Sequence, residues 1–309
     1  MSISFDQHQD VIKLLKISSG FTSENGDPRF KKIIHQLLGD ICRLIEQYDI
    51  SAEEFWQAIN YLHTLGGRQE AALLAAGLGL EHFLDLRDDQ REQAQGLTGG
   101  TPRTIEGPLY VANAPLSEGF ARMDDGEDAG ELMWLQGQVN DADGRPLAGA
   151  VVDIWHANTL GNYSFFDKSQ SDFNLRRRVK TDANGRYRVR SIVPSGYGCP
   201  PDGPTQALLN RLGRHGNRPA HIHFFISAPG HKHLTTQINL NGDRYLWDDF
   251  AFATRDGLIA DPVKITDPAI VAQRDLPGAH TEVSFNFSLY PTTDDEEQQR
   301  IKRARALQD

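Results

Sequence analysis

The chain has 309 residues, 39% hydrophobic and 24% charged, which is enough apolar content for a packed core and too little charge for disorder. Its 32 Lys+Arg against 42 Asp+Glu leave a formal net charge of −10, which disfavours nucleic-acid binding, because phosphate backbones need a basic surface. Two cysteines, Cys42 and Cys199, form no disulfide framework, the start MSISFDQHQD lacks a basic, apolar leader, and no run approaches ~18 apolar residues, so a cytoplasmic protein without a membrane span is expected.

The first hundred residues read as helix. A short helix is expected around 11–15. Over 28–48, Phe30, Ile33, Ile34, Leu37, Leu38, Ile41, Leu44 and Ile45 recur at three-four spacing and make one broad apolar stripe. Its breadth suits packing against a second subunit as well as its own domain. Ser51 and Glu54 form a capping box for the next helix, with Ile50 stapled on Phe55 and Gly66-Gly67 as the stop. A third helix is expected over 70–86, which is free of charge through 71–80.

After about Leu97 the periodicity changes. Gly99-Gly100-Thr101-Pro102 and the 108–115 region read as extended loop. From Leu132 onward short β-like runs alternate with turn dipeptides. Asp143-Gly144, Asn184-Gly185 and Asn241-Gly242 are hairpin signals, and 151–157, 186–192, 221–227, 235–240 and 281–288 suit strands. The fold class is α+β: an N-terminal helical domain over 1–105, then an antiparallel β-sandwich over 106–309. Its tail beyond Thr292 is highly charged and reads as a surface helix or a frayed end.

The most informative fragment is Arg218-Pro219-Ala220-His221-Ile222-His223. Residues i and i+2 of a strand share a face, so both imidazoles can meet one metal ion while Ile222 and Phe224 face a core. Two histidines satisfied within a core are the competing reading. His231-Lys232-His233 has the same spacing, but it follows Pro229-Gly230 and reads as a turn with exposed rings. No cysteine or carboxylate at fixed spacing completes a site. Tyr163 and Tyr197 each lie just past a strand, where packing is the ordinary role of a tyrosine. A phenolate is a hard anionic donor suited to a hard, highly charged cation, and two phenolates with one hydroxide neutralise a trivalent ion.

These residues, together with Leu73–Gly79 (LLAAGLG), 100–110 (GTPRTIEGPLY), Asp153-Ile154-Trp155-His156-Ala157-Asn158 and Gly161-Asn162-Tyr163, resemble the intradiol ring-cleaving dioxygenases along nearly the whole chain. The resemblance implies one non-haem Fe(3+) per subunit, held by Tyr163, Tyr197, His221 and His223. It also implies catechol and dioxygen as substrates and cis,cis-muconate as product. Arg218, Tyr197 and Gln237 take catalytic positions, and Leu73, Ala76, Ile105, Pro108, Leu109, Arg218, Phe250 and Ala251 match the substrate pocket. Ala76 stands where some members have proline. A homodimer through the N-terminal helices, with a phospholipid at its interface, is a further implication. Two alternatives stand beside it: the same chemistry on hydroxyquinol or chlorocatechol, and a non-enzymatic prealbumin-like or immunoglobulin-like module suggested by 136–154 and 181–187.

Overall fold

The computed structural model describes residues 8–292, so the charged tail after Thr292 lies outside the described residues. Two compact units divide between Gly67 and Arg68. The division falls inside the helical stretch, because the last two N-terminal helices belong to the second unit.

The first unit holds α1 (Gln9–Ser18), α2 (Pro28–Gln47) and α3 (Ala52–Gly67). Asp27 caps α2, accepting from the backbone N–H groups of Arg29 and Phe30 at 2.7 and 3.0 Å, and Pro28 occupies the first turn, where no N–H is needed. The capping box of α3 forms in both directions. Ser51 N donates to Glu54 Oε2 at 2.9 Å and Glu54 N to Ser51 Oγ at 3.3 Å. The α2 stripe is only half used within the chain. Ile34, Leu38 and Ile45 are half-buried, whereas Phe30, Ile33, Leu37, Ile41 and Leu44 are exposed, as are Phe55, Trp56, Ile59 and Leu62 of α3.

In the second unit the helix expected over 70–86 is two helices, α4 (Ala71–Gly77) and α5 (Leu80–Ala94). Gly79 sits at φ 72° between them, a left-handed conformation that ends the first helix and re-aims the second. The strands are β1 (Leu116–Glu118), β2 (Phe120–Arg122), β3 (Leu132–Asp141), β4 (Val151–Trp155), β5 (Arg176–Lys180), β6 (Arg186–Ile192), β7 (Tyr197–Gly198), β8 (Asn217–Arg218), β9 (His221–Ser227), β10 (Leu234–Leu240), β11 (Ile259–Ala260), β12 (Val263–Ile265), β13 (His280–Ser284) and β14 (Phe287–Leu289). Helices α6 (Pro204–Arg211) and α7 (Pro268–Gln273) lie among them.

One sheet runs β1-β5-β4-β9-β10-β11; the other runs β12-β13-β3-β6-β2, with β14 also on β3. The long central ladders, β5-β4-β9-β10 and β3-β6, are antiparallel. Short β1, β2 and β11 join in parallel, as do β13 and β14 on β3. The fold class stands as an α+β sandwich. Its core is built from alternate residues of both sheets: Val152, Ile154, Ile222, Phe224 and Ile226 with Leu135, Val139, Val189 and Val283.

The three Gly dipeptides all make turns, but not three hairpins. Asp141 Oδ1 accepts from Asp143 N and Arg145 N, and Asp182 Oδ1 likewise accepts from Asn184 N and Arg186 N. Both chains then pass to the other sheet, β3 to β4 and β5 to β6. After Asn241-Gly242 the chain makes a long excursion and returns as β11, parallel to β10. Such dipeptides specify positive φ and leave the strand partner to packing. The run expected over 281–288 is likewise interrupted after Ser284.

Candidate functional site

Strand β9 carries the two-residue alternation to the site. Ile222, Phe224 and Ile226 enter the sandwich core, which turns His221 and His223 to the opposite face. Directly paired residues of antiparallel strands share a face, so His223 is flanked by Trp155 of β4 and Gln237 of β10. The Trp155 indole stacks flat on the His223 ring, with centroids 4.9 Å apart and planes 3° apart. Gly107, in the segment leading from Ile105 to Leu109, passes so near that a Cβ there would lie 4.0 Å from His223 Cε1.

The tyrosines come from two short structures above this face. Asn158 holds the turn after β4 by accepting from Leu160 N and Asn162 N at 3.0 and 2.9 Å, and Tyr163 follows it. Tyr197 lies in β7, paired with Arg218 of β8. Gly161 lets the two structures meet: a Cβ there would fall 2.5 Å from Tyr197 Cβ.

The four side chains converge. Tyr163 Oη lies 3.5 Å from Tyr197 Oη and 3.3 Å from His221 Nε2, Tyr197 Oη lies 3.5 Å from the same nitrogen, and His223 Nε2 is 3.1 Å from it. Donors about 2.0–2.2 Å from one ion have mutual spacings of about 3.0–3.4 Å, so this set fits a single metal. The tautomer of His221 agrees with that. His221 Nδ1 donates to the Pro219 carbonyl at 2.7 Å, which leaves Nε2 with its lone pair inward. His223 Nδ1 is buried without a partner. Burial pushes His221 down to about 3, with Arg218 adding to the effect, and holds His223 well below the ordinary histidine range. Both rings are therefore neutral, as ligands must be. Burial, and then Tyr197 beside it, raises the Tyr163 phenol well above its ordinary value. A highly charged cation is the partner that would ionise it. Among the described residues no group of three or more His, Cys, Asp or Glu side chains could hold a metal; a metal at this point would take its remaining donors from the phenols.

Arg218, only 4% exposed, organises the neighbouring wall. Its Nε and Nη2 donate to Asp249 Oδ1 and Oδ2 at 3.1 and 3.0 Å, Nη2 also to Gln237 Oε1 at 2.8 Å, and Nη1 meets His221 Nε2 at 3.1 Å. Burial opposes the Arg218 charge, but adjacent Asp249 outweighs it and holds the guanidinium protonated. Gln237 in turn donates to Asn239 Oδ1 and Asn239 to Thr254 Oγ1, both at 2.8 Å. The amide of Gln237 is thereby oriented.

Of the pocket residues read from the sequence, Leu73, Ala76, Ile105, Phe250 and Ala251 share one apolar cluster with Cys199 and Leu209. Leu109 packs instead beside Trp155 and Tyr163. Pro108 is exposed at the surface. His231 and His233 are half-buried rather than exposed, and the His233 ring packs on Phe225 at 5.0 Å. Trp155 and Asp249 are the residues that sequence reading missed. Trp155 carries a signal in hindsight, because it alternates with Asp153 on a strand beside β9, whereas Asp249 sits in a loop with no periodicity. A cavity of about 550 Å³ is bounded by α5, Arg103 and Arg255 and shares Ile105 with the apolar cluster of Leu73 and Phe250, and none of the four donor side chains lines it.

Two family models match the chain in order: "Catechol dioxygenase N terminus" over 27–96 and "Dioxygenase" over 105–291. The catechol 1,2-dioxygenase of Acinetobacter baylyi is 53% identical over 308 residues, covering 99% of each chain. The crystal structure of catechol 1,2-dioxygenase from Pseudomonas arvilla C-1 superposes with a TM-score of 0.94 at 59% identity, covering 99% of both. A hydroxyquinol 1,2-dioxygenase of Rhizobium is more distant, at 36% identity over 248 residues, 78% of this chain and 82% of its own. Both halves of the family pattern are thus present at full length on a matching backbone, and the chain belongs to the intradiol ring-cleavage dioxygenase family.

Proposed function

We propose that the protein is a catechol 1,2-dioxygenase that opens catechol between its two hydroxylated carbons, placing both atoms of dioxygen in cis,cis-muconate. The observation that carries this reading is the convergence of two phenols and two neutral imidazoles, from three separate segments, with neighbouring donor atoms 3.1–3.5 Å apart. A non-enzymatic sandwich module has no use for such a set. Catechol is favoured over hydroxyquinol and chlorocatechol because the catechol-named relative is 53% identical to the chain, against 36% and 33% for relatives named for the other two diols.

Tyr163, Tyr197, His221 and His223 would hold one non-haem ferric ion. Bound there, that ion would supply Lewis-acid withdrawal of electron density from the diol, opening a hydroxylated ring carbon to dioxygen. The two tyrosines differ in environment. Tyr163 is buried at 3% exposure, and Tyr197 is half-buried on a two-residue strand. Tyr163 therefore stays in place, while Tyr197 swings aside and takes a proton from the incoming diol at its Oη. Arg218, kept charged by Asp249, stabilises negative charge developing on the ring, and Gln237 orients the substrate from the other side of the guanidinium. Leu73, Ala76, Ile105, Phe250 and Ala251 form the apolar wall against the ring, with Leu109 and Pro108 in the segment beside His223.

The exposed apolar faces of α2 and α3 would form the surface of a homodimer, with a phospholipid as the further partner at that surface. No helix among the described residues is long and apolar enough to cross a membrane; the reading is a cytoplasmic enzyme. Turnover of catechol under oxygen-18 dioxygen tests the activity. Muconate carrying two labels is expected, and a yellow ring-opened aldehyde or a singly labelled product would overturn it.

A further inference from the structure

We propose that Arg214 is a positioning residue for substrate selectivity, tying together the two apolar walls that meet the substituents of the aromatic ring. Its planar guanidinium spans both walls. Nη1 donates to the Gly77 carbonyl at 2.7 Å and Nη2 to the Phe250 carbonyl at 3.0 Å. One wall is α4, which carries Leu73 and Ala76; the other is the loop holding Phe250 and Ala251.

Three further observations show that the spacing between these walls is set closely. Gly77 packs directly on the Phe250 ring, since a Cβ there would stand 3.1 Å from Phe250 Cε2. Gly79 does the same with Phe252 at 3.4 Å, so two glycines two residues apart receive two aromatics two residues apart. Phe252 holds φ 57°, a conformation costly for a residue with a Cβ, and the Arg214 guanidinium lies over its ring at 4.7 Å. The other end of α4 is anchored as well, because Glu70 Oε2 accepts from Thr205 N at 3.0 Å at the start of α6. With its start fixed there, the C-terminal end of α4 is set against the 250–252 loop by the Gly77 and Gly79 contacts and by the Arg214 bond to the Gly77 carbonyl. The pairing suits arginine, whose fork reaches two carbonyls while its face stacks on an aromatic ring; lysine supplies neither the fork nor the face.

The inference rests on the catechol reading above, in which these walls contact the ring. Releasing the tie lets the α4 wall part from the loop and admits a ring substituent, while the four donor side chains are untouched and Asp249 keeps its own bonds to Arg218 and to Ala251 N. The test compares wild type, Arg214→Met and Arg214→Lys on catechol, 3-methylcatechol and 4-methylcatechol. Both steady-state turnover and anaerobic binding titrations are measured. The methylcatechol-to-catechol ratio of kcat/KM is expected to rise about 3- to 10-fold in Arg214→Met, a partial release of the roughly 10- to 200-fold that one methylene commands in a closed apolar pocket. The change should come through KM, with kcat on catechol within about twofold, and Arg214→Lys should fall between. Should Arg214→Met fail to fold, Phe252→Leu removes the stacked ring and keeps both hydrogen bonds; it is expected to shift the ratio in the same direction. A ratio unchanged in the variants, in turnover and in binding, overturns the inference. If wild type binds the diols but turns none over, the catechol reading fails instead, while the binding ratios still decide the role of Arg214.

Discussion

Removing the Asp249 carboxylate isolates the energetic role of the Arg218 pair. Arg218 and Asp249 are 4% and 7% exposed, and the carboxylate accepts two guanidinium bonds at 3.1 and 3.0 Å as well as the backbone N–H groups of Ala251 and Ala253 at 3.0 and 3.3 Å. Asp249→Ala leaves a buried cation whose remaining side-chain hydrogen-bond partners are the neutral Gln237 oxygen and His221 nitrogen. Stripping one partner from a buried pair costs about 3–5 kcal/mol, most of it the desolvated charge left behind. Asp249→Asn keeps an oxygen acceptor and loses the charge, and should cost about 1–3 kcal/mol. The double variant Arg218→Met, Asp249→Leu removes both charges, and should recover about 2 kcal/mol or more relative to Asp249→Ala. Urea unfolding of the metal-free protein, followed by circular dichroism, reads all three. A loss below about 1 kcal/mol in Asp249→Ala, or a double variant no more stable than Asp249→Ala, would refute the reasoning.

Three further outcomes follow from the same structure. Tyr197→Phe should retain more iron on purification than Tyr163→Phe, because the first residue is half-buried on a short strand and the second is enclosed; metal analysis showing equal loss contradicts that division. Burial depresses His156 to about 4 and His221 to about 3. Since the unfolded chain binds protons that the folded chain refuses, the contribution of each ring to the stability of the metal-free protein is full above the ordinary histidine value near ~6.5 and falls as the pH drops toward the folded values, on the order of 1 kcal/mol per pH unit. Burial raises the Asp85 and Asp153 carboxyls to about 7 and about 6, which acts in the opposite sense, so the ring is read by difference: the denaturant midpoint of His156→Gln should fall less than that of wild type between pH 7 and 4, and parallel profiles would contradict this. On the exposed α2 stripe, Leu37→Glu should shift a homodimer toward monomer in sedimentation at micromolar concentration with the catalytic unit still folded; an unchanged mass removes α2 from the interface.

Much of this site can be read from residue order because it depends on local rules. The alternation on His221–Ser227 separates ligand face from core face, and strands 186–192 and 221–227 form over the lengths their β-branched and aromatic content suggests. The Ser51–Glu54 box and the Asp27 cap are equally local. What stays hidden is what packing decides. Nothing polar punctuates Ala71–Leu80, so the left-handed Gly79 that splits one expected helix into two is visible only when Phe252 is seen against it. Strand partners across the Asp143-Gly144 and Asn184-Gly185 turns depend on which sheet has room, which turn chemistry does not encode. Asp249 gains its role from a guanidinium thirty-one residues away in sequence, and Trp155 from a ring on a neighbouring strand.

The most direct measurement is the visible absorption spectrum of the purified protein, taken with metal analysis, before and after catechol is added without oxygen. Two phenolates on one ferric ion should give a wine-red protein with about one iron per chain and a charge-transfer band that moves to longer wavelength when the diol binds. A colourless protein that takes up iron without such a band, or a band indifferent to catechol, would contradict a ferric centre built from Tyr163, Tyr197, His221 and His223.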